Sequence, residues 1–204
     1  MNKTLTTLAS LGFVALIVGI LLTATSNPPK PKLPIYGDLG PFRLVERSGK
    51  EMTEQDLAGR VWIADFIFTK CAGPCPVLTT QMSILQNTLP REVRYVSFSV
   101  DPERDTPEEL RKYAEAYGAD RSRWSFLTGE WPAIDKLVRN QFKLTAKRQT
   151  DAQPGFEVLH DLRFVLMDKK GRIRGYYIAS NGEYEAQPEE LKKLREDVET
   201  LLKE

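Results

Sequence analysis

The fold class is indicated most clearly by VWIADFIFTKCAGPCPVLTTQM, residues 61 to 82. Its first eight residues form an almost continuous apolar run, which is typical of a central β-strand covered on both faces. From Cys75 to about Leu89, apolar residues recur at a spacing that predicts a helix. A buried strand, a short loop and a helix in this order predict an α/β architecture. The loop and the helix start hold both cysteines of the chain, Cys71 and Cys75.

Strands and helices continue to alternate along the rest of the chain. Residues 92–100 predict a second core strand, and Thr106-Pro107-Glu108-Glu109 has the form of a capping box that opens a helix to about Tyr117. Further strands are predicted around Phe42 and Leu44 and over 124–129, 160–168 and 172–180. Residues 149–159 predict a polar loop, and residues 131–142 and 187–204 predict helices. The Lys169-Lys170-Gly171 turn predicts a late hairpin. We therefore expect one central mixed sheet flanked by helices.

The N-terminal segment predicts a membrane anchor. Residues 5–25 carry no charge and are long enough to cross a bilayer, which takes roughly 20 apolar residues. A cleaved signal peptide is the alternative, but the apolar run is long for one. Residues 26–36 read as a proline-rich spacer and 37–204 as a globular domain. Either N-terminal reading exports this domain, so we expect it on the periplasmic side of the cell inner membrane.

Composition excludes some function classes and favours chemistry at the cysteines. The chain has 29 basic and 28 acidic residues without a basic cluster, so nucleic acid has no surface to bind. A chain of 204 residues buries a full core without cross-links. A bridge between Cys71 and Cys75 would close a very short loop and stabilise the fold by only about 2 kcal/mol. Two thiols at this spacing are therefore more useful as reactive groups or metal ligands.

The predicted position of the thiols suits both roles. A helix N-terminus favours the thiolate form, and the four-residue spacing brings Cys71 and Cys75 close enough to share an ion or form a disulfide. His160 is the single histidine of the chain and begins a predicted strand. It is either a solvent-exposed loop residue or a third ligand. A Cys₂His set suits Cu(I), whereas zinc would lack a fourth protein ligand.

Three motifs in fixed order carry a family resemblance: F-x-F-T-K-C-x-x-x-C-P, then S-V-D-P-E-R-D-T-P, then H-D followed by F-x-L-M-D-x-x-G. Together they resemble the Sco/SenC family of membrane-anchored copper chaperones. The resemblance implies a thioredoxin-like fold and a role in assembling the copper A centre of cytochrome c oxidase. It implies Cu(I) or Cu(II) bound by Cys71, Cys75 and His160, with the copper-bearing oxidase subunit or another exported copper protein as partner.

The cysteine loop departs from the family pattern. The family commonly carries proline after the first cysteine and aspartate one residue later, where this chain has Ala72 and Gly73. Without this carboxylate we expect metal affinity or partner docking to differ from that of the family, which favours a redox role. Asp101 and Asp105 belong to the second motif, and their residue types favour turn and helix-start chemistry over metal ligation.

Two functions remain open from the sequence. The first is a copper metallochaperone. The second is a thiol–disulfide oxidoreductase that reduces the cysteines of an apo copper site or another exported protein, with Cys71 attacking and Cys75 resolving. A peroxidase is disfavoured, because the position three residues before Cys71 holds Phe68 where peroxiredoxin-type sites have threonine. Copper binding needs His160, whereas dithiol exchange does not.

Overall fold

Eight strands form one mixed sheet in the computed structural model of the protein, which describes residues 32–181 and 183–204. The strands of the protein are β1 Gly37–Asp38, β2 Arg43–Glu46, β3 Glu51–Thr53, β4 Trp62–Ile67, β5 Arg94–Ser99, β6 Trp124–Thr128, β7 Ala146–Arg148, β8 Val158–His160, β9 Arg163–Met167 and β10 Arg172–Ile178. The order across the sheet is β1-β10-β9-β4-β5-β6-β2-β3, and β7 and β8 form a separate hairpin. Strands β4, β5 and β6 run parallel in the middle, and the other neighbouring pairs are antiparallel.

Helices pack against this sheet. Helix α1 contacts β4, α2 contacts β6 and α4 contacts β10. Their bounds are α1 Cys75–Thr88, α2 Pro107–Ala116, α3 Trp131–Lys136 and α4 Pro188–Lys203, with a 3₁₀ turn at Glu54–Leu57 and a π-helical turn at Leu137–Gln141 that continues α3. The predicted mixed sheet flanked by helices is confirmed.

Local signals mark the element ends as predicted. The Thr106 side chain accepts a hydrogen bond from the Glu109 N–H at 3.3 Å, and Pro107 is the first residue of α2. Gly171, with φ of 73°, lies in the turn between β9 and β10. Such a left-handed backbone costs glycine little, which is why this turn can be recognised from the sequence.

Strand β4 is the centre of the core, as its apolar run predicts. All six of its residues are buried, and the Phe66 ring stacks on Phe98 of β5 with ring centroids 5.5 Å apart. Phe142, which follows α3 and its π-helical turn, packs edge-on against Phe66 at 5.2 Å. Burying such rings removes large apolar surfaces from water and holds α3 against the sheet.

The region around His160 differs from the prediction. His160 is the last residue of β8, which pairs with β7, and β9 begins only at Arg163. The Asp161 carboxylate accepts hydrogen bonds from the Arg163 N–H at 3.0 Å and from its guanidinium. This side-chain turn separates the two strands. The predicted continuous strand over 160–168 is therefore wrong at its start, and part of the predicted loop over 149–159 is strand β8.

The N-terminal end of the described chain lies against the domain. Residues 33–204 form one compact unit, and Arg174 donates to the carbonyl oxygens of Leu33 and Pro34 at 2.8 and 3.1 Å. The last residues of the predicted spacer are thus packed. The predicted anchor, residues 1–25, lies outside the described residues. Among the residues that are described, no helix combines the length and apolar character needed to cross a membrane.

Candidate metal centre

The two cysteines lie at the carboxyl end of β4 and the start of α1. Cys71 is in the connecting turn, where its N–H donates to the Phe68 carbonyl at 3.2 Å, and Cys75 is the first residue of α1. Pro74 precedes the helix with helical backbone angles, so a fixed φ prepares the helix start. Only Cys75 is helical, which differs from the shared helical face predicted for both thiols. The turn nevertheless brings the sulfurs together.

Asp105 holds the beginning of the cysteine loop. Its buried carboxylate accepts from the Thr69 N–H at 3.1 Å, from the Thr69 hydroxyl at 2.6 Å and from the Ser99 hydroxyl at 2.6 Å. The turn chemistry predicted for Asp101 is present, because its carbonyl accepts from the Asp105 N–H at 3.0 Å. The hydrogen bond between Asp105 and Thr69, which are 36 positions apart, was not predicted, because nothing in the local sequence pattern indicates it.

His160 joins the two cysteines. Its Nε2 lies 3.2 Å from the Cys75 Sγ, and the three donor atoms of Cys71, Cys75 and His160 lie within 4.8 Å of one another. Its Nδ1 is 3.0 Å from the Asp161 carbonyl oxygen. Because a carbonyl only accepts, Nδ1 carries a proton, and Nε2 is the ring atom that faces the cysteine sulfurs. With the residue 7% exposed, the interpretation as a solvent-exposed loop histidine is wrong.

Access to the three donors is uneven. Cys75 is fully buried, whereas Cys71 is only half-buried and borders a cleft of about 240 Å³. The cleft walls are mostly apolar and include Phe156, Leu159 and Tyr184. Cys71 is therefore the more accessible of the two thiols.

Electrostatics separate the two thiols. A hydrogen bond from the Cys75 thiol lowers the pKa of Cys71 to about 5 against the opposing effect of burial, and His160 and the backbone N–H groups of Gly73 and Cys75 lower it further. Burial raises the pKa of Cys75 well above its usual value. The helix start therefore contributes to the Cys71 thiolate but is not its main cause, contrary to the prediction. Cys71 is the thiolate and Cys75 the thiol.

Asp65 is a buried acid beneath the site that the sequence analysis did not single out. It lies in β4 with no exposure, and neither carboxylate oxygen has a hydrogen-bond partner. Burial raises its pKa to about 7; the Ser97 hydroxyl, which is near the carboxylate but outside hydrogen-bond geometry, and His160 lower it only in part. An aspartate inside the apolar run VWIADFIF was the available signal, because a charged residue there costs stability unless a role retains it.

Close packing explains the unusual cysteine loop. The Ala72 N–H donates to the Gly155 carbonyl at 3.1 Å, and a Cβ on Gly155, whose φ is +89°, would lie 2.5 Å from the Ala72 Cβ. A Cβ on Gly73 would lie 3.1 Å from the Phe156 ring and 3.4 Å from Tyr184. The position where the family commonly has aspartate is thus covered by two aromatic rings, and the cleft beside Cys71 is more apolar for it.

The donor set fits copper. Two thiolates and an imidazole are soft ligands suited to Cu(I), and the Asp161 carbonyl orients the His160 ring as a second-layer partner does in metal sites. In the part of the chain that the structure describes, Cys71, Cys75 and His160 are the one group of three or more acidic, cysteine or histidine residues arranged to hold a metal ion. A tetrahedral zinc site would need a fourth protein ligand or water.

Comparison with known proteins places this site in a family. The family profile described as SCO1/SenC matches residues 37–196, which hold all three donors. The chain belongs to the SCO1/SenC family. The SCO1 protein homolog of Bacillus subtilis (strain 168) is 35% identical over 166 residues, covering 79% of this chain and 84% of that protein.

Two solved Sco structures share the fold. BsSco, a member of the Sco family of cytochrome c oxidase assembly proteins in which a disulfide switch was identified, is 32% identical with a TM-score of 0.68, covering 84% of this chain and 99% of that one. Bradyrhizobium japonicum ScoI, solved with copper bound, is 25% identical with a TM-score of 0.63, covering 78% and 98%.

Proposed function

We propose that this Sco protein is an exported, membrane-anchored copper metallochaperone that binds copper through Cys71, Cys75 and His160. Its domain, residues 37–204, acts on the periplasmic side of the inner membrane, held by the apolar segment 1–25 through the spacer 26–36. Its partner is the copper-bearing subunit of cytochrome c oxidase, whose copper A centre it helps to assemble, or another exported copper protein.

One observation carries the proposal: three donors from two distant parts of the chain converge within 4.8 Å, with Nε2 of His160 directed at Cys75. A dithiol that served redox exchange alone would not need the imidazole. A copper-bound structure and a relative named as an oxidase assembly protein support the same assignment. The uncharged residues 5–25 support the membrane anchor.

A second function is favoured by the asymmetry of the thiols. Cys71 is accessible and has a pKa lowered to about 5, while Cys75 is buried with a raised pKa. An exposed thiolate beside a buried thiol is the arrangement of an attacking and a resolving cysteine. The same residues can therefore reduce a disulfide in the partner, consistent with the disulfide switch identified in BsSco.

Copper binding and oxidase assembly, measured in parallel, separate the two functions. The reduced protein should bind one Cu(I), and free copper at 100 times Kd should raise the free energy of unfolding by about 2.7 kcal/mol. Cys71→Ser or Cys75→Ser should abolish both effects. His160→Ala should weaken Cu(II) binding more than Cu(I) binding, because Cu(I) tolerates two thiolates.

The decisive comparison is complementation of a strain lacking the protein. We expect His160→Ala to fail at ordinary copper levels and to recover when copper is in excess, while Lys147→Ala, an exposed position on β7, should complement fully. Full complementation by His160→Ala at ordinary copper levels would leave the reductase function in place of the chaperone.

A further inference from the structure

Three distant segments of the chain meet beside the metal site. The Ala72 N–H in the cysteine loop donates to the Gly155 carbonyl at 3.1 Å, and the Gly155 N–H donates to Glu157 Oε2 at 2.8 Å. The second carboxylate oxygen of Glu157 accepts from Arg104 Nη1 at 2.6 Å. Glu157 therefore ties the segment that leads into His160 to both the cysteine loop and the turn that contains Arg104.

Arg104 closes this network on its other side. Its Nε pairs with the buried carboxylate of Asp101, and its guanidinium carbon lies 6.0 Å from the centroid of the Phe68 ring. Phe68 in turn packs edge-on against the His160 ring, with centroids 5.9 Å apart. Arg104 thus contacts both the Glu157 carboxylate, which lies just before β8, and the Phe68 ring, which borders the His160 imidazole.

We infer that Arg104 and Glu157 are positioning residues for copper binding, in that their ion pair sets where His160 lies relative to the two thiols. This inference rests on the proposed copper function. His160 needs such support, because β8 pairs only with β7 and is separate from the central sheet. The cysteine loop, in contrast, is fixed to the end of β5, because the Asp105 carboxylate accepts from both Thr69 and Ser99.

Both members of the pair keep their charge over a wide pH range. The hydrogen bond from Arg104 lowers the pKa of Glu157 to about 2, so the carboxylate stays ionised in neutral copper titrations. The side chains are 38% and 29% exposed. An ion pair this exposed contributes little to global stability, so its loss should alter the site without unfolding the protein.

The test is Cu(II) titration of the full-length protein, with the thiolate-to-copper absorption band and the electron paramagnetic resonance spectrum recorded alongside. Arg104→Gln and Glu157→Gln should each lower Cu(II) affinity roughly tenfold, as loss of an outer-layer partner typically does. Both should also shift the spectrum toward weaker nitrogen coordination. Cu(I) affinity should change much less, since two thiolates suffice for it. The double variant should be no weaker than Arg104→Gln, because that change alone already breaks the ion pair.

Glu103→Gln is the matched control. Glu103 pairs with Arg148 at 2.7 Å and so joins the same two regions, but neither residue is bonded to Gly155 or lies over Phe68. This variant should keep the affinity and the spectrum of the unaltered protein. Glu157→Gln keeps an oxygen that can accept from the Gly155 N–H, so it remains available as a test if Arg104→Gln folds poorly. Thermal melting of the copper-free proteins shows whether each variant is folded.

Unchanged Cu(II) affinity and spectrum in folded Glu157→Gln would overturn the positioning role, as would an equal loss in Glu103→Gln. An unaltered protein that takes up no copper would overturn the proposed function and this inference with it. Normal copper uptake by the unaltered protein, with no effect of the substitutions, would overturn this inference alone.

Discussion

Replacing Asp65 by asparagine should remove a pH-dependent loss of stability from the protein. Asp65 is fully buried in β4 without a hydrogen-bond partner, and burial raises its pKa from 3.8 to about 7. Between these two values the folded state holds a proton that the unfolded state has released. Stability therefore falls as pH rises through this window. A rise of about three pH units in the pKa, at about 1.4 kcal/mol per unit, gives about 4 kcal/mol.

The assay is urea unfolding of the copper-free, reduced protein and of Asp65→Asn between pH 4 and pH 8. The free energy of unfolding of the variant minus that of the unaltered protein should increase by about 4 kcal/mol over this range. The lowered pKa of Cys71 acts in the opposite direction, since its thiolate stabilises the fold as pH rises above about 5. It is present in both proteins and cancels in the difference.

The change of this difference with pH is the readout, because the absolute difference in the free energy of unfolding also contains the cost of burying the new amide. The new amide N–H groups lack partners as well, at a cost of about 1–3 kcal/mol. Asp105→Asn is the matched control: Asp105 is equally buried, but its carboxylate accepts three hydrogen bonds, so this variant should be less stable than the unaltered protein at pH 8. A flat difference for Asp65→Asn from pH 4 to pH 8 would contradict this prediction, because Asp65 would then ionise as in an unfolded chain.

Two further predictions concern the cysteine loop. Alkylation of the copper-free protein should modify Cys71 with a rate midpoint near pH 5 and leave Cys75 unmodified. Cys75→Ala removes the side-chain donor without supplying another and should move the midpoint upward; an unmoved midpoint would assign the stabilisation of the thiolate to the helix start. Gly155→Ala should lower the free energy of unfolding by about 1–3 kcal/mol and weaken copper binding, because its Cβ meets Ala72 at 2.5 Å and its φ is +89°. Chemical denaturation and copper titration check this, with Gly49→Ala, at a similarly positive φ but in open space, as the control for backbone strain alone.

Much of the fold could be read from local patterns. The apolar run of β4, the Thr106 cap of α2 and the Gly171 turn each depend on residues within a few positions of one another. For the same reason the loop that carries Cys71 and Cys75 could be located between a core strand and a helix. The motif order then pointed to His160 as the third ligand.

Local patterns therefore predicted the core strands and the helices, and the motifs indicated the three residues that we propose as copper donors. The three-dimensional packing was needed to show that His160 ends a separate hairpin and meets Cys75 across 85 positions. It also showed that Asp65 is buried without a hydrogen-bond partner and that Arg104 is paired with Glu157. The same packing separates the pKa values of the two thiols, lowering that of Cys71 and raising that of Cys75. Burial and electrostatic fields are set by neighbours far along the chain, so periodicity and capping carry no record of them.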